Sequence, residues 1–177
     1  YGGVLSVAGH YGEAIEYFDK ALAQQADNVE VLNRKSMALW KNEDYEAAEA
    51  TARTVLDLSP HNLDGSINLG LSLALQSKYK AAILIWQEAS EHHPSDGRIW
   101  SNWANMLREM GMLKQAKVVI EKAVEVDPEN PEALNNLGCI LKDMGHSEEA
   151  VEAFRSATDL TPKYHQAHYN MALAYGD

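Results

Sequence analysis

Polar side chains recur along this sequence at one fixed interval. Four asparagines follow one another every 34 residues, and an arginine stands one interval before them; the column is Arg34, Asn68, Asn102, Asn136 and Asn170. A primary amide donates and accepts hydrogen bonds at once, so it can pair with both the N–H and the C=O of an extended backbone. The column therefore indicates either a set of peptide-binding amides or a solvated polar position of the repeat.

The other side chains that could do chemistry stand alone. His165 and His168 have the spacing of metal ligands on a helix, but no carboxylate or cysteine joins them nearby, and zinc takes four ligands or three with water. Cys139 has no histidine in register beside it, whereas a reactive thiolate needs a basic partner or a helix N-terminus. No glycine-rich phosphate loop or nucleophile-elbow serine is present. We therefore predict no catalytic residue, no metal site, no cofactor and no enzyme activity within these residues.

The composition narrows the class of partner. The chain has 177 residues, of which 26 are acidic and 15 basic, for a net charge of −11. This charge repels nucleic-acid phosphates and anionic membranes, so neither nucleic acid nor membrane insertion is expected. The longest apolar run, residues 81–86, is too short to cross a bilayer. A single cysteine fits a reducing compartment, which favours the cytoplasm unless a targeting segment lies outside these residues.

The interval of 34 residues organises the whole chain. Several independent columns keep it, among them the prolines Pro60, Pro94, Pro128 and Pro162, the alanines Ala14, Ala48, Ala82, Ala116 and Ala150, and the small residues Gly2, Ser36, Gly70, Ala104, Gly138 and Ala172. A period of this length is typical of helix–turn–helix repeat arrays. Within 131–164, Leu134, Leu137 and Leu141 recur at helical spacing, Gly145 ends the run, and a second amphipathic stretch follows. Each period therefore predicts two helices.

The phase of the repeat sets the expected boundaries. A partial repeat covers 1–28, four complete repeats cover 29–62, 63–96, 97–130 and 131–164, and a lone first helix covers 165–177. No linker separates them, so we predict a single solenoid over residues 1–177. Both ends fall inside a repeat, which suggests a fragment of a longer protein, although a final helix can also cap such an array.

The segment NNLGCILKDMGHSEEAVEAFRSATDLTP, residues 135–162, resembles the tetratricopeptide repeat (TPR) family at nearly every signature position, and the resemblance extends along the whole chain. It implies an all-α, right-handed superhelical solenoid in which the first helix of each repeat lines a concave groove. Repeat two departs from the family: Lys35 and, in the next repeat, Ser66 replace large apolar residues, and Ala52 replaces an aromatic one. Loose packing is expected there unless Trp40, one helical turn away, fills the gap.

The segment SNWANMLREMG, residues 101–111, resembles the TPR region of O-linked N-acetylglucosamine transferases, where inward asparagines bind the backbone of the protein substrate. This resemblance implies that a peptide contacts the inward polar residues Arg34, Asn68, Asn102, Asn105, Asn136 and Asn170. The basic residues with which another TPR subclass clamps chaperone tails are missing at the matching positions, so that mode is not expected.

Apolar residues are also expected on the inward side. Met37, Trp40, Ile67 and Leu71 could form a non-polar contact patch or belong to the core, and the sequence leaves both open. The leading hypothesis is a protein-interaction scaffold that binds an extended peptide in its groove. The alternatives are the substrate-selecting arm of a larger enzyme, such as a glycosyltransferase, and a scaffold that forms homo-oligomers through its repeat ends or convex face.

Overall fold

The computed structural model describes residues 2–176, and all regular structure in that range is helical. The helices are α1 (Gly2–Val7), α2 (Tyr11–Leu22), α3 (Val29–Lys41), α4 (Tyr45–Leu58), α5 (Leu63–Leu75), α6 (Tyr79–His92), α7 (Gly97–Glu109), α8 (Leu113–Val126), α9 (Pro131–Asp143), α10 (Ser147–Leu160) and α11 (His165–Ala174). Odd-numbered helices are the first helices of the predicted repeats and even-numbered ones the second. The predicted all-α class and the pairing of two helices per repeat are confirmed.

The helices form two compact units, α1–α6 and α7–α11. Within each unit every helix packs against the next one in the chain. First helices of neighbouring repeats also touch, α3 with α5 in one unit, and α7 with α9 and α9 with α11 in the other. Inside each unit, these contacts bring together the neighbouring first helices that contain successive residues of the polar column. The single solenoid over the whole chain stays a prediction.

Side-chain caps start the first helices at the repeat interval. The side chain of Asn28 accepts a hydrogen bond from the backbone N–H of Val31, and similar caps recur at Asn62, Asp96 and Asn130. Each cap satisfies at least one of the backbone donors that a helix N-terminus leaves without an intrahelical partner. The caps therefore fix where each of these first helices begins. They thereby also fix the position that the polar residue of the 34-residue column takes on each helix.

The turn between the two helices of a repeat uses a left-handed residue. A positive φ occurs at 34-residue intervals, at Gly9 (82°), Glu43 (65°), Ser77 (61°), Gly111 (72°) and Gly145 (81°). Glycine adopts this conformation without steric cost, whereas a residue with a Cβ does so at about 1–2 kcal/mol. Repeats two and three therefore contain local backbone strain that the other three do not.

Glycine and a large aromatic residue form a matched pair in three repeats, where Gly2, Gly70 and Gly138 face Phe18, Trp86 and Phe154. A Cβ on Gly138 would lie 2.5 Å from Cε1 of the Phe154 ring, well inside van der Waals contact. The aromatic rings are buried and fill the space that the missing side chain leaves. In these three repeats the first helix can therefore keep this packing against the second only while the position has no side chain.

In repeat two the contact between the first and second helices is formed by small residues instead of a glycine and an aromatic ring. Ala52 is fully buried, and Ser36, which replaces the glycine, donates its hydroxyl hydrogen bond to the carbonyl of Ala48 at 2.9 Å. Trp40 is half-buried, and its indole N–H donates to Asn68 Oδ1 in the next repeat. Lys35, expected to be out of place, forms an ion pair with Asp19 of α2 at 2.6 Å. The full burial of Ala52 gives no sign of loose packing at this position.

A charged cluster joins α4 to the turn after α5. The Glu49 carboxylate accepts hydrogen bonds from Lys78 Nζ and Gln76 Nε2, both at 2.8 Å, and from Arg53 at 2.8 Å. The hydrogen bond from Lys78, with those from Arg53 and Gln76, lowers the pKa of Glu49 to about 2. Glu49 is therefore ionised at every physiological pH and connects two repeats of its unit.

Candidate functional site

Three asparagines of the sequence-predicted set have side chains without hydrogen-bond partners among residues 2–176. Asn102 and Asn105 lie one turn apart on α7, and Asn136 lies on α9, which packs against α7. All three are half-buried. Within residues 2–176 their amides form no hydrogen bond, although each could make several. These amides are therefore available to a ligand, and we call them the free-amide set.

Asn68, from the same column, is placed differently. It is 7% exposed, its Nδ2 donates to the backbone carbonyl of Asn33 at 3.1 Å, and its Oδ1 accepts from Trp40 Nε1 at 3.3 Å. Both partners belong to the preceding repeat. The side chain therefore connects α5 to α3, and its amide is already occupied.

Asn170 makes the equivalent connection in the other unit. Its Nδ2 donates to Asn135 Oδ1 at 3.0 Å and lies 3.3 Å from Cys139 Sγ, while its Oδ1 accepts from Gln166 at 3.0 Å. Asn68 and Asn170 each reach a residue 35 positions earlier. The predicted column thus has two roles, since some of its members join repeats and others remain free.

The fifth positions of the repeats were missed by the sequence analysis. Asn33 and Asn135 stand directly before the predicted column and receive the hydrogen bonds from Asn68 and Asn170. Asn135 is 5% exposed, and its only signal in the sequence is that it precedes another asparagine. Arg34, the first member of the column, is exposed and forms an ion pair with Glu30 at 2.8 Å.

The predicted apolar patch is only partly accessible. Ile67 is buried, whereas Met37, Trp40 and Leu71 are not fully covered. Ile67 therefore belongs to the core of its unit, and the others present only part of their surface. Their role in contacting a ligand stays a prediction.

The cysteine on α9 is held as a thiol. Burial raises the pKa of the Cys139 thiol, and the charge of nearby Arg108 opposes this only in part. Arg108 itself donates from Nε to Asp143 at 2.6 Å, so its charge is compensated. Since the thiolate is the nucleophilic form, Cys139 lacks the activation that a catalytic cysteine needs. Among residues 2–176 no group of three or more potential ligand side chains could bind a metal ion.

Comparison with protein-family models covers nearly all of this chain. Models described as tetratricopeptide repeat match residues 4–62 and 33–97, residues 97–130 and residues 119–152, and one described as TPR repeat matches residues 140–177. The chain belongs to the tetratricopeptide repeat family. One of these matches, residues 97–130, coincides with the helix pair α7–α8 and with one predicted repeat. A comparison with curated proteins found no match.

Solved structures share the TPR fold at low sequence identity. A thermophilic TPR protein of Thermus thermophilus has a TM-score of 0.88 and 19% identity, with 99% of this chain and 96% of that chain covered. YrrB, described as a TPR protein with an unusual peptide-binding site, has a TM-score of 0.63 and 24% identity over 95% of this chain and 87% of its own. The human IFIT1 dimer with m7Gppp-AAAA has a TM-score of 0.75 and 18% identity over 94% of this chain and 43% of its own. These likenesses establish the fold.

The length and apolar character of the helices decide whether any of them could span a membrane. Along residues 2–176, none of them combines the length and the apolar character that a membrane span requires.

Proposed function

We propose that this TPR chain is a protein-interaction scaffold that binds an extended peptide along Asn102, Asn105 and Asn136. The observation that supports the proposal is the free-amide set itself, which is half-buried on two touching first helices and has no partner within residues 2–176. Polar groups in such positions are normally hydrogen-bonded to protein or water. The backbone of a bound peptide can replace that water without leaving a donor or acceptor unpaired.

The spacing of the helices suits this mode of binding. Packed helix axes lie about 8–10 Å apart, and an extended chain advances roughly 3.3–3.6 Å per residue. Asn102 and Asn136 therefore meet backbone groups about three peptide residues apart. Asn105, three positions after Asn102 and on the same helix face, adds a second contact within the same repeat.

The basic side chains on the helix of Asn102 and Asn105 form ion pairs with acidic side chains, which favours a ligand without net charge. Arg108 is compensated by Asp143 at 2.6 Å, and Arg98 is compensated by Asp96 at 2.9 Å. A peptide backbone is neutral and needs no charged partner. Nucleic acid of the kind described for IFIT1 is disfavoured here, because the net charge of −11 repels phosphates. The description of YrrB as having a peptide-binding site agrees with the proposed class of ligand.

Catalysis forms no part of the proposed function. The thiol of Cys139 is protonated, because burial raises its pKa, and His168 is exposed with its ring nitrogen 3.0 Å from the carbonyl of Pro162. Within residues 2–176 the two residues do not form the pair of nucleophile and adjacent base that nucleophilic catalysis uses. The substrate-selecting arm and the homo-oligomer stay alternatives predicted from the sequence.

The decisive experiment measures binding of the chain to an array of extended peptides, beside an Asn102→Ala/Asn136→Ala double variant. We expect peptides retained by the parent chain to lose at least about tenfold in affinity, because each lost amide removes hydrogen bonds worth about 0.5–1.5 kcal/mol apiece. Peptides of shuffled sequence should lose affinity equally, since the amides contact backbone.

The matched control is Asn42→Ala. Asn42 is an exposed asparagine after α3 whose side chain forms no hydrogen bond within residues 2–176. We expect the Asn42→Ala variant to bind every peptide with the affinity of the parent chain. Unchanged affinity of the double variant, or an equal loss in Asn42→Ala, would refute the proposal.

A further inference from the structure

A pocket of about 290 Å³ opens between α1, α2 and α3, in the unit that does not contain the free-amide set. Its lining combines apolar side chains, Phe18 and Met37, with the ring of Tyr11. It also combines a hydroxyl, that of Ser6, with two basic side chains, Arg34 and Lys41. Ligand sites typically join apolar walls to a few converging polar groups, and this pocket has that composition.

Ser6 contributes a buried hydroxyl to the wall of the pocket. The residue is 8% exposed, and its Oγ is buried without a hydrogen-bond partner among residues 2–176. A buried hydroxyl without a partner costs free energy that a hydrogen bond would recover. The hydroxyl of Ser36, in the core of the next repeat, is satisfied by Ala48. Ser6 therefore offers a donor directly at the pocket wall.

Lys41 supplies an uncompensated positive charge. Within the described residues its ammonium forms no ion pair and lies over two aromatic rings, 5.8 Å from the centroid of Tyr11 and 4.8 Å from that of Trp40. A cation held by aromatic faces keeps its full charge for an anion. The second basic residue, Arg34, is compensated by Glu30 through Nε and Nη2.

The remaining nitrogen of Arg34 approaches the first helix of the pocket. Its Nη1 lies 3.1 Å from the position that a Cβ on Gly3 would occupy, so this nitrogen comes close to α1 only because residue 3 has no side chain. Lys41 contributes one uncompensated charge, while Ser6 and Arg34 contribute hydrogen-bond donors without adding net charge. This combination matches a singly charged acceptor such as a carboxylate better than a doubly charged phosphate.

We infer that this pocket binds the carboxylate of an acidic side chain of a partner peptide, with Lys41 as the counter-ion and the Ser6 hydroxyl as the hydrogen-bond donor. The apolar wall formed by Phe18 and Met37 contacts an apolar residue next to the acidic one. This inference goes beyond the proposed function, because that function concerns uncharged backbone groups on α7 and α9, whereas this pocket selects a charged side chain.

The test is an NMR titration of the chain with the capped tripeptide Ac-Leu-Glu-Leu-NH₂ and its Gln counterpart. We expect saturable amide shifts at Gly3, Ser6 and Lys41 with the Glu peptide. The Gln peptide should bind at least about tenfold more weakly, since hydrogen bonds to a charged group are about twice as strong as neutral ones and the Coulomb attraction is lost. Equal binding of the two peptides would overturn the inference, as would the absence of shifts at these residues.

Three variants locate the interaction, one of them a control. Lys41→Gln should weaken binding of the Glu peptide about tenfold, whereas Lys20→Gln, at another exposed lysine that lies over an aromatic ring, should leave it unchanged. Ser6→Ala should weaken binding while thermal stability stays equal or rises, because the hydroxyl has no partner in the free chain. Equal losses from both lysine variants would mean that only overall charge matters and would refute the inference. A fall in stability for Ser6→Ala would assign the hydroxyl a structural role and refute its part in binding.

Acetate provides the last arm of the test. If acetate displaces the Glu peptide at the same concentration as the peptide itself binds, the site is a simple anion site and the inference of peptide recognition is wrong. We expect acetate to compete only at much higher concentration, because it lacks the apolar neighbours that Phe18 and Met37 contact.

Discussion

Asn68 and Asn136 occupy the same position of their repeats, yet replacing each by alanine is expected to have opposite consequences. Asn68→Ala removes two hydrogen bonds and leaves the indole N–H of Trp40 and the carbonyl of Asn33 without their partners. A lost hydrogen bond costs about 0.5–1.5 kcal/mol, and a buried group left unpaired costs about 1–3 kcal/mol. Because Trp40 is not fully covered, water can reach part of the site, so we expect a loss of about 2–3 kcal/mol.

Asn136→Ala removes an amide that has no partner within residues 2–176. The expected change in the free energy of unfolding is within about 0.5 kcal/mol, as for surface substitutions in general. Peptide affinity, by contrast, should fall with Asn136→Ala and stay unchanged with Asn68→Ala at temperatures where that variant is folded.

Urea unfolding followed by circular dichroism measures the stability of both variants. The difference in tryptophan emission between the parent chain and Asn68→Ala reports separately on the environment of Trp40. Equal stability losses in the two variants would refute the assignment of different roles to one column. So would an unchanged emission spectrum in Asn68→Ala, since the indole N–H would then not depend on this amide.

Three further predictions concern stability. Glu49→Gln should destabilise the chain by about 1–2 kcal/mol at pH 7, a value reduced for solvent screening. The folded-state pKa of Glu49, about 2, lies below the ordinary 4.5. The difference in free energy of unfolding between the parent chain and the variant should therefore be constant above pH 4.5 and shrink as the pH falls toward 2, as acid titrations of both proteins can measure. Glu43→Gly and Ser77→Gly should each stabilise by about 1 kcal/mol, because they release a left-handed strained residue, whereas Gly145→Ala should destabilise by a similar amount; thermal melts in which all three behave alike would contradict this. Ala116→Phe, at a fully buried contact of α8, should cost about 1–3 kcal/mol through overpacking, and an unchanged melting temperature would show that the register is wrong.

The sequence predicts the fold well because the fold depends on periodic signals. Caps such as Asn62 and turn residues such as Gly111 follow the 34-residue interval, and the glycine–aromatic pairs recur at twice that interval. A single alignment of the repeats therefore predicts the two helices of each repeat. The gap expected beside Ala52 could not be judged in the same way, since its closure depends on how Ser36 bonds to the backbone of the facing helix.

The candidate site is less predictable because the fate of an amide depends on its neighbours from another repeat. Trp40 precedes Asn68 by 28 residues and donates to it. The same offset before Asn136 gives Arg108, which forms an ion pair with Asp143 instead. The period alone makes Asn68 and Asn136 equivalent, and only the three-dimensional contacts distinguish them. The pocket at Ser6 was missed as well, since its lining residues come from three helices and the sequence alone does not show that they converge.

The glycine–aromatic pairs constrain how such a chain can change over generations. Starting from Gly70 and Trp86, a mutation of the glycine alone brings a new Cβ into the indole ring, while a mutation of the tryptophan alone opens a cavity that costs about 3–5 kcal/mol. Whichever residue changes first, the single mutant is less stable than either the glycine–tryptophan pair or the pair of small residues seen at Ser36 and Ala52. Copying or exchanging a whole 34-residue block keeps both members of the pair together. Duplication of intact repeats is therefore a far less costly route to new binding surfaces than point mutation at the helix contacts.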